Sequence, residues 1–248
     1  MNTCLEWESE RCIWQIMCGR RQLHPDEIRN REFLIGVSLR NPRFSNSWIR
    51  NVITDIISWN GIIWMCLVDV PYFETLVYNE PNVRIQKRQL AILYTQCEQH
   101  ERRLQRLTSQ FSKVIHIFRW NAAERLVPEK FFVEIRSAFL LERRVYSALL
   151  DQVRMNVAGL EEIEELKRAS VFLLNEIPVL LFMYYRLFPD IIDVYPGPQA
   201  EFFWELERGT FTDEMPISTQ LACQSEGLIY ADVQERRLNA PKAKSHPN

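Results

Sequence analysis

The sequence predicts an α/β fold built on a parallel sheet, and three observations carry that expectation. Short apolar-rich runs at 33–39 (FLIGVSL), 62–70, 114–120 (VIHIFRW) and 191–195 (IIDVY) have the length and continuity of strands buried on both faces. Between them lie longer segments whose apolar residues recur at helical spacing. Strands alternating with helices are the pattern of a sheet covered on both sides, a single Rossmann-like domain. With 248 residues, 47% of them apolar and 25% charged, the chain is long enough for one well-packed core.

Local signals place the elements in order. After the first run and a turn at Asn41-Pro42, Ser45 or Ser47 can cap a helix that continues to about Trp59 and stops at Asn60-Gly61. Pro71 ends the second run. Arg84 to about Lys113 reads as a long amphipathic helix. Pro128, at a first helical turn, opens a helix running to about Met155. Another runs from near Glu161 to Phe188, with a kink or break expected just before Pro178. Pro196-Gly197-Pro198 closes the fourth strand. Residues 1–233 read as one domain, and the polar stretch 234–248, ending KAKSHPN, as a disordered tail.

Composition excludes several classes. Seven glycines are too few for a protein built around glycine-rich phosphate loops. No uncharged run approaches the roughly 20 apolar residues of a membrane span. Glu6, Glu8 and Glu10 stand where a secretory leader would carry positive charge, so the expectation is a cytoplasmic protein without membrane contact. Cys4, Cys12, Cys18, Cys66, Cys97 and Cys223 contain no C-x-x-C pair, which favours buried reduced thiols over a metal site.

In open α/β sheets ligands gather at the carboxyl ends of the strands, and Ser38, Asp69 and Tyr195 each fall at or near such an end. A serine at a strand exit can be an exposed nucleophile or a small residue filling a turn. Arg40 occupies the second-glycine position of the G-x-S-x-G elbow, and four histidines give an ordinary serine-histidine-acid triad little support. Glu176 interrupts the apolar stretch VFLLNEIPVLL. Burial there would raise its pKa toward neutrality and suit proton transfer, while the bland alternative is a structural carboxylate near Pro178. Tyr195 offers one hydroxyl that both donates and accepts, although most strand-end tyrosines are structural.

Charge is the most physical signal. Arg84, Lys87, Arg88, Arg102, Arg103, Arg106 and Lys113 fall on one face of the long helix, and Leu90, Leu93, Cys97, Leu104 and Phe111 on the other. Nine basic residues against three acidic ones between Arg84 and Arg125 give that segment +6, so the remainder carries −8 within a chain of net charge −2. A basic stripe on an acidic body is the footprint expected for a phosphate backbone.

In this order, an L-I-G-V-S strand ending in Ser38, a late helix with E-I-P at Glu176 and a V-Y-P strand end at Tyr195 resemble the cyclodipeptide synthases across residues 31–198. That resemblance implies a fold similar to the catalytic domain of class I aminoacyl-tRNA synthetases. It also implies a monomeric enzyme that uses two aminoacyl-tRNAs and no cofactor, metal or DNA. Ser38 would accept the first aminoacyl group in a ping-pong scheme, and the dipeptidyl-enzyme formed with the second aminoacyl-tRNA would cyclise off the serine. Glu176 would hold the amino group and move its proton, Tyr195 would relay protons, and Asn41 matches an asparagine of one branch. Leu34, Gly36 and Phe172 would line the substrate pocket, and the basic stripe would engage tRNA phosphates. Phe172 stands where the family usually has tyrosine, and Pro196 matches the other branch. Two rival readings remain: an RNA-binding module that keeps the fold and the basic helix without chemistry, and a serine esterase, which needs a histidine within reach of Ser38.

Overall fold

The computed structural model describes residues 3–18, 23–38, 41–68, 82–156, 162–188, 190–197, 201–211, 213 and 228–236. Its strands are β1 (Thr3–Glu8), β2 (Cys12–Cys18), β3 (Glu32–Val37), β4 (Ile62–Leu67), β5 (Ile115–Arg119), β6 (Ile192–Tyr195) and β7 (Ile229–Glu235). They form one sheet in the order β1-β2-β7-β6-β3-β4-β5. The run β7-β6-β3-β4-β5 is parallel. β2 adds to β7 and β1 to β2, both antiparallel. The sheet is therefore mostly parallel. The four expected strands are β3 to β6, while β1, β2 and β7 were not expected. The hairpin was hard to read because β2 buries one face, with Cys12, Trp14, Ile16 and Cys18 inside, and β1 mixes acids with its apolar residues.

Helices cover both faces. They are α1 (Asn46–Ser58), α2 (Val83–Thr108), α3 (Trp120–Glu124), α4 (Glu129–Leu141), α5 (Arg143–Asn156), α6 (Ile163–Phe182) and α7 (Glu201–Glu207). Strand alternation divides the core. Phe33, Ile35, Val37, Met65 and Val194 pack with Ile49, Val52, Ile53 and Ile56 of α1 and Leu104 of α2. On the other face, Leu34, Cys66 and Tyr230 pack with Phe131, Ile135, Leu149, Leu174 and Ile177 of α4 to α6, and with Phe202 and Phe203 of α7.

Local chemistry sets several boundaries. Ser45 caps α1 by accepting from the Trp48 amide at 3.0 Å. Asn60 takes a left-handed conformation (φ 58°), and the Gly61 amide donates to the Ile56 carbonyl at 3.0 Å. A Cβ on Gly61 would lie 2.6 Å from both Ile56 Cγ2 and Phe33 Cε2, so close approach of helix end and strand requires glycine there. Asn82 caps α2 through the amides of Arg84 and Ile85.

Three expectations are corrected. The segment after Pro128 is two helices, because Glu142 is extended (φ −95°, ψ 109°). The break folds α4 and α5 against each other and both against α6. The break that was one of the two outcomes expected before Pro178 does not occur, and α6 runs through it. Ile177, Val179 and Leu181, buried on either side of it, hold the helix through the lost amide donor, and a π-helical turn follows at Met183–Leu187. β7 extends to Glu235, two residues into the stretch expected to be a tail. Residues 237–248 lie outside the described residues. Among the described residues no helix is long and apolar enough to cross a membrane.

A buried carboxylate joins the hairpin to the parallel core. Asp55 on α1 is 3% exposed. It accepts from Ser9 Oγ at 2.5 Å and from Trp14 Nε1 at 3.0 Å, with Arg11 Nη1 at 3.8 Å. Asp55→Ala strands the buried indole N–H of Trp14 and removes an acceptor of half-buried Ser9, and is expected to lower unfolding free energy by about 2 kcal/mol, read from urea denaturation. A loss under about 0.5 kcal/mol would show that the hairpin is not held here.

Candidate active site

From β3 the chain crosses by α1 to β4 on one side, and from β6 it proceeds to β7 on the other. The carboxyl ends of adjacent parallel strands β3 and β6 therefore form the switch point of the sheet, where departing connections leave a crevice. Ser38 follows β3, and Tyr195 is the last residue of β6. Ile35 pairs with Val194, so Tyr195 comes level with Gly36, two residues before Ser38.

Alternation assigns the face. Leu34, Gly36 and Ser38 share the side covered by α6, where Leu34 packs in the cluster containing Leu174 and Ile177. The Val68 amide donates to the Val37 carbonyl at 3.1 Å, which continues the ladder past β3 and carries half-buried Ser38 to the rim. Leu34 is buried in the floor (2% exposed). A Cβ on Gly36 would meet Val68 Cγ2 at 3.5 Å, an ordinary contact, so packing does not demand glycine at this point.

Asn41 Nδ2 donates to the Tyr195 hydroxyl at 2.8 Å, which leaves that hydroxyl's own proton available for another acceptor. The ring of Tyr195 packs edge-on against Phe44 at 5.4 Å. Burial raises the pKa of Tyr195, opposed by the Asn41 hydrogen bond and the Arg43 guanidinium and reinforced by the carboxyls of Glu176 and Asp193. Glu176 is half-buried on α6, in surroundings apolar enough to push its carboxyl up to about 7. It also acts on Tyr184, whose hydroxyl donates to Asp193 Oδ2 at 2.8 Å. Asn41, Tyr195 and Glu176 thus form one electrostatic group beside the exit of β3. The side chain of Phe172 and all of Asp69 lie outside the described residues.

On the opposite side of the sheet, Arg84, Lys87, Arg88, Arg102, Arg103 and Arg106 are exposed on α2, and Lys113 is exposed in the turn beyond it. Arg102, Arg103 and Arg106 join Asn46, Arg50, Gln99 and Leu107 around a hollow of about 400 Å³ between α2 and the start of α1. Arg102 has Glu98 at 3.8 Å. Arg103 Nη2 reaches the Phe44 carbonyl at 3.5 Å, so Phe44 links this hollow to Tyr195. His100, inside α2, is held neutral: burial, then Arg103, lowers it to about 4. His24 caps the 3₁₀ turn Pro25–Ile28, and His116 packs on Trp64 at 4.5 Å. Among the described residues no group of three or more His, Cys, Asp or Glu could hold a metal ion.

Several site residues escaped sequence reasoning. Asp193 was legible, because alternation in IIDVY puts it on the face of Tyr195. Tyr230 and Asp232 belong to β7, which went unread. Arg50 and Asn46 join the arginines of α2 only through tertiary packing.

Comparison with known proteins is informative at the level of structure alone. No family model and no curated protein matches the sequence. Solved structures do. A cyclodipeptide synthase from Fluoribacter dumoffii superposes with a TM-score of 0.67 at 10% identity, over 96% of this chain and 100% of that one. One from Staphylococcus haemolyticus gives 0.63 at 14% identity, over 90% and 100%. The chain has the fold of the cyclodipeptide synthases. A third such enzyme, from Mycobacterium tuberculosis, is described as related to type I tRNA synthetases; it gives 0.62 at 12% identity, over 93% of this chain and 96% of that one. At these identities the shared property is the backbone fold.

Glu176 has a consequence for stability. An acid raised from 4.5 to about 7 on folding keeps a proton that the unfolded chain has released, so its contribution falls as pH rises across that window and stays low above it. Glu176→Gln abolishes the titration. Between pH 5 and pH 8 the wild type is expected to lose about 2 kcal/mol more than the variant, measured by urea unfolding at both pH values. Parallel pH dependences would show that Glu176 titrates as an ordinary exposed acid.

Proposed function

We propose that this protein is a cyclodipeptide synthase that joins the aminoacyl groups of two aminoacyl-tRNAs into a cyclic dipeptide through an ester on Ser38. The observation that carries this reading is the placement of Ser38 and Tyr195 on either side of the switch point, with Glu176 coupled to Tyr195. An arginine-lined hollow joins the same centre through Phe44.

In the proposed chemistry, Ser38 Oγ attacks the ester carbonyl of the first aminoacyl-tRNA. Its bond to the carbonyl carbon forms, the bond to the terminal ribose oxygen breaks, and the proton leaves with the tRNA hydroxyl. The amine of the serine-bound group then attacks the ester of the second aminoacyl-tRNA and releases the second tRNA. The new terminal amine closes on the serine ester, which frees Ser38 and the ring. Each amine must be held and then stripped of a proton. A carboxyl with pKa near 7 suits that duty, and Glu176 has one. Tyr195, whose hydroxyl oxygen accepts from Asn41 and whose own proton is free to be donated, would pass a proton between the reacting groups. The activated ester supplies the driving force. Phosphates of the acceptor arm would lie along α2, with Arg50, Arg102, Arg103 and Arg106 around one of them.

Incubation with a full mixture of charged tRNAs, followed by mass spectrometry, is expected to yield a cyclic dipeptide that disappears with Ser38→Ala, while tRNA affinity changes less than about twofold. Intact tRNA binding without product would instead favour an RNA-binding module lacking chemistry. Replacing Arg102 and Arg103 together with alanine is expected to weaken tRNA binding and to make log K against log salt shallower by about one to two units. An unchanged slope would remove α2 from the tRNA contact.

A further inference from the structure

Directly opposite Tyr195 on the neighbouring strand stands Asp232, a carboxyl that the proposed chemistry has not used. Register partners in a parallel pair share a face, and Tyr230, two residues earlier on β7, packs in the core cluster beneath α6. Asp232 therefore belongs to the face of Ser38 and Tyr195. It is 6% exposed. Its Oδ2 accepts a long hydrogen bond from Gln234 Nε2 at 3.5 Å, and its Oδ1 is buried with no hydrogen-bond partner among the described residues. An unpartnered carboxylate oxygen in such surroundings is costly, and folded proteins keep few of them without a functional reason.

The charge around it is lopsided. Tyr195 feels the carboxyls of Glu176 and Asp193, and Tyr230 those of Asp193 and Asp232. The cation acting on Tyr195, Tyr230 and Asp232 alike is Arg43, an exposed side chain whose Nη1 already donates to the Pro196 carbonyl at 3.1 Å. Among the described residues acting on these groups, Asp193, Asp232 and the partly ionised Glu176 face one guanidinium, a balance that favours a further positive group. Burial raises the Asp232 pKa, opposed by Gln234, Arg43 and a hydrogen bond from the Gly197 amide.

We infer that Asp232 is a second amine-binding group of the site, receiving the α-ammonium of an aminoacyl substrate on Oδ1. The inference rests on the aminoacyl-tRNA reading above and extends it. That reaction handles two amino groups in turn, and one carboxylate cannot seat both. Glu176 reaches the centre from the helix above the sheet, Asp232 from the strand beside Tyr195. A primary ammonium has three donors on one compact centre, and it can bond Oδ1 while facing other oxygens of the site. An added bond to a buried charged oxygen is worth about tenfold or more in affinity.

The test uses a panel of 3′-aminoacylamido-3′-deoxyadenosines, which cannot transfer their acyl group, and the matched compounds lacking the α-amino group, titrated calorimetrically. The wild type is expected to prefer the amine form by at least about tenfold. Asp232→Asn and Asp232→Ser, each checked for folding by circular dichroism and thermal melting, are expected to lose most of that preference while binding the amine-free compounds nearly as before. Full preference retained in either folded variant overturns the assignment, as does a wild type that binds both forms equally. A wild type that binds no member of the panel and makes no cyclic dipeptide overturns the aminoacyl reading itself, and the role of Asp232 with it.

Discussion

Two neighbouring parallel strands that send the chain in opposite directions cannot cover the gap between their own carboxyl ends, and the rest of this structure depends on that constraint. At the exits of β3 and β6 the crossover to β4 and the passage to β7 diverge, the arrangement at which open α/β sheets place their ligand crevice. Ser38 and Tyr195 owe their nearness to this topology, being separated by more than 150 residues of chain. The surrounding apolar layers make the crevice an electrostatic site. They desolvate Glu176 and Tyr195 enough to move both from their ordinary pKa values.

The two faces of the sheet divide the labour. Beneath α6 lie the carboxyls and tyrosines that can hold amines and move protons. Across the sheet, α1 and α2 present arginines to solvent around a hollow suited to phosphate. Phe44 joins the two, with its carbonyl toward Arg103 and its ring against Tyr195. Charge segregated between the two faces is how a chain of net charge −2 presents a cationic helix on one side and a cluster of carboxyls on the other.

Proline and cap chemistry illustrate where local rules hold and where packing overrides them. Ser45, Asn60 and Gly61 set the ends of α1 as their residue types dictate, because each satisfies backbone groups within its own turn. Pro178 fails to end α6, because Ile177, Val179 and Leu181 are already buried against the sheet and its neighbours. One missing amide bond costs less than exposing that apolar face.

Taken alone, the sequence determined the four strands β3 to β6, the basic helix and its sign, and three polar residues at strand ends or inside apolar runs. Those signals are local: strand continuity, helical periodicity and a polar residue out of place can be read over a few residues. Tertiary structure alone decided that β1, β2 and β7 complete the sheet, that Arg50 joins the arginines of α2, and that Asp232 stands beside Tyr195. Strand order and register are pairings between distant segments, set by which apolar faces can be buried together. Seven residues of IYADVQE carry no mark of the strand beside which they will lie.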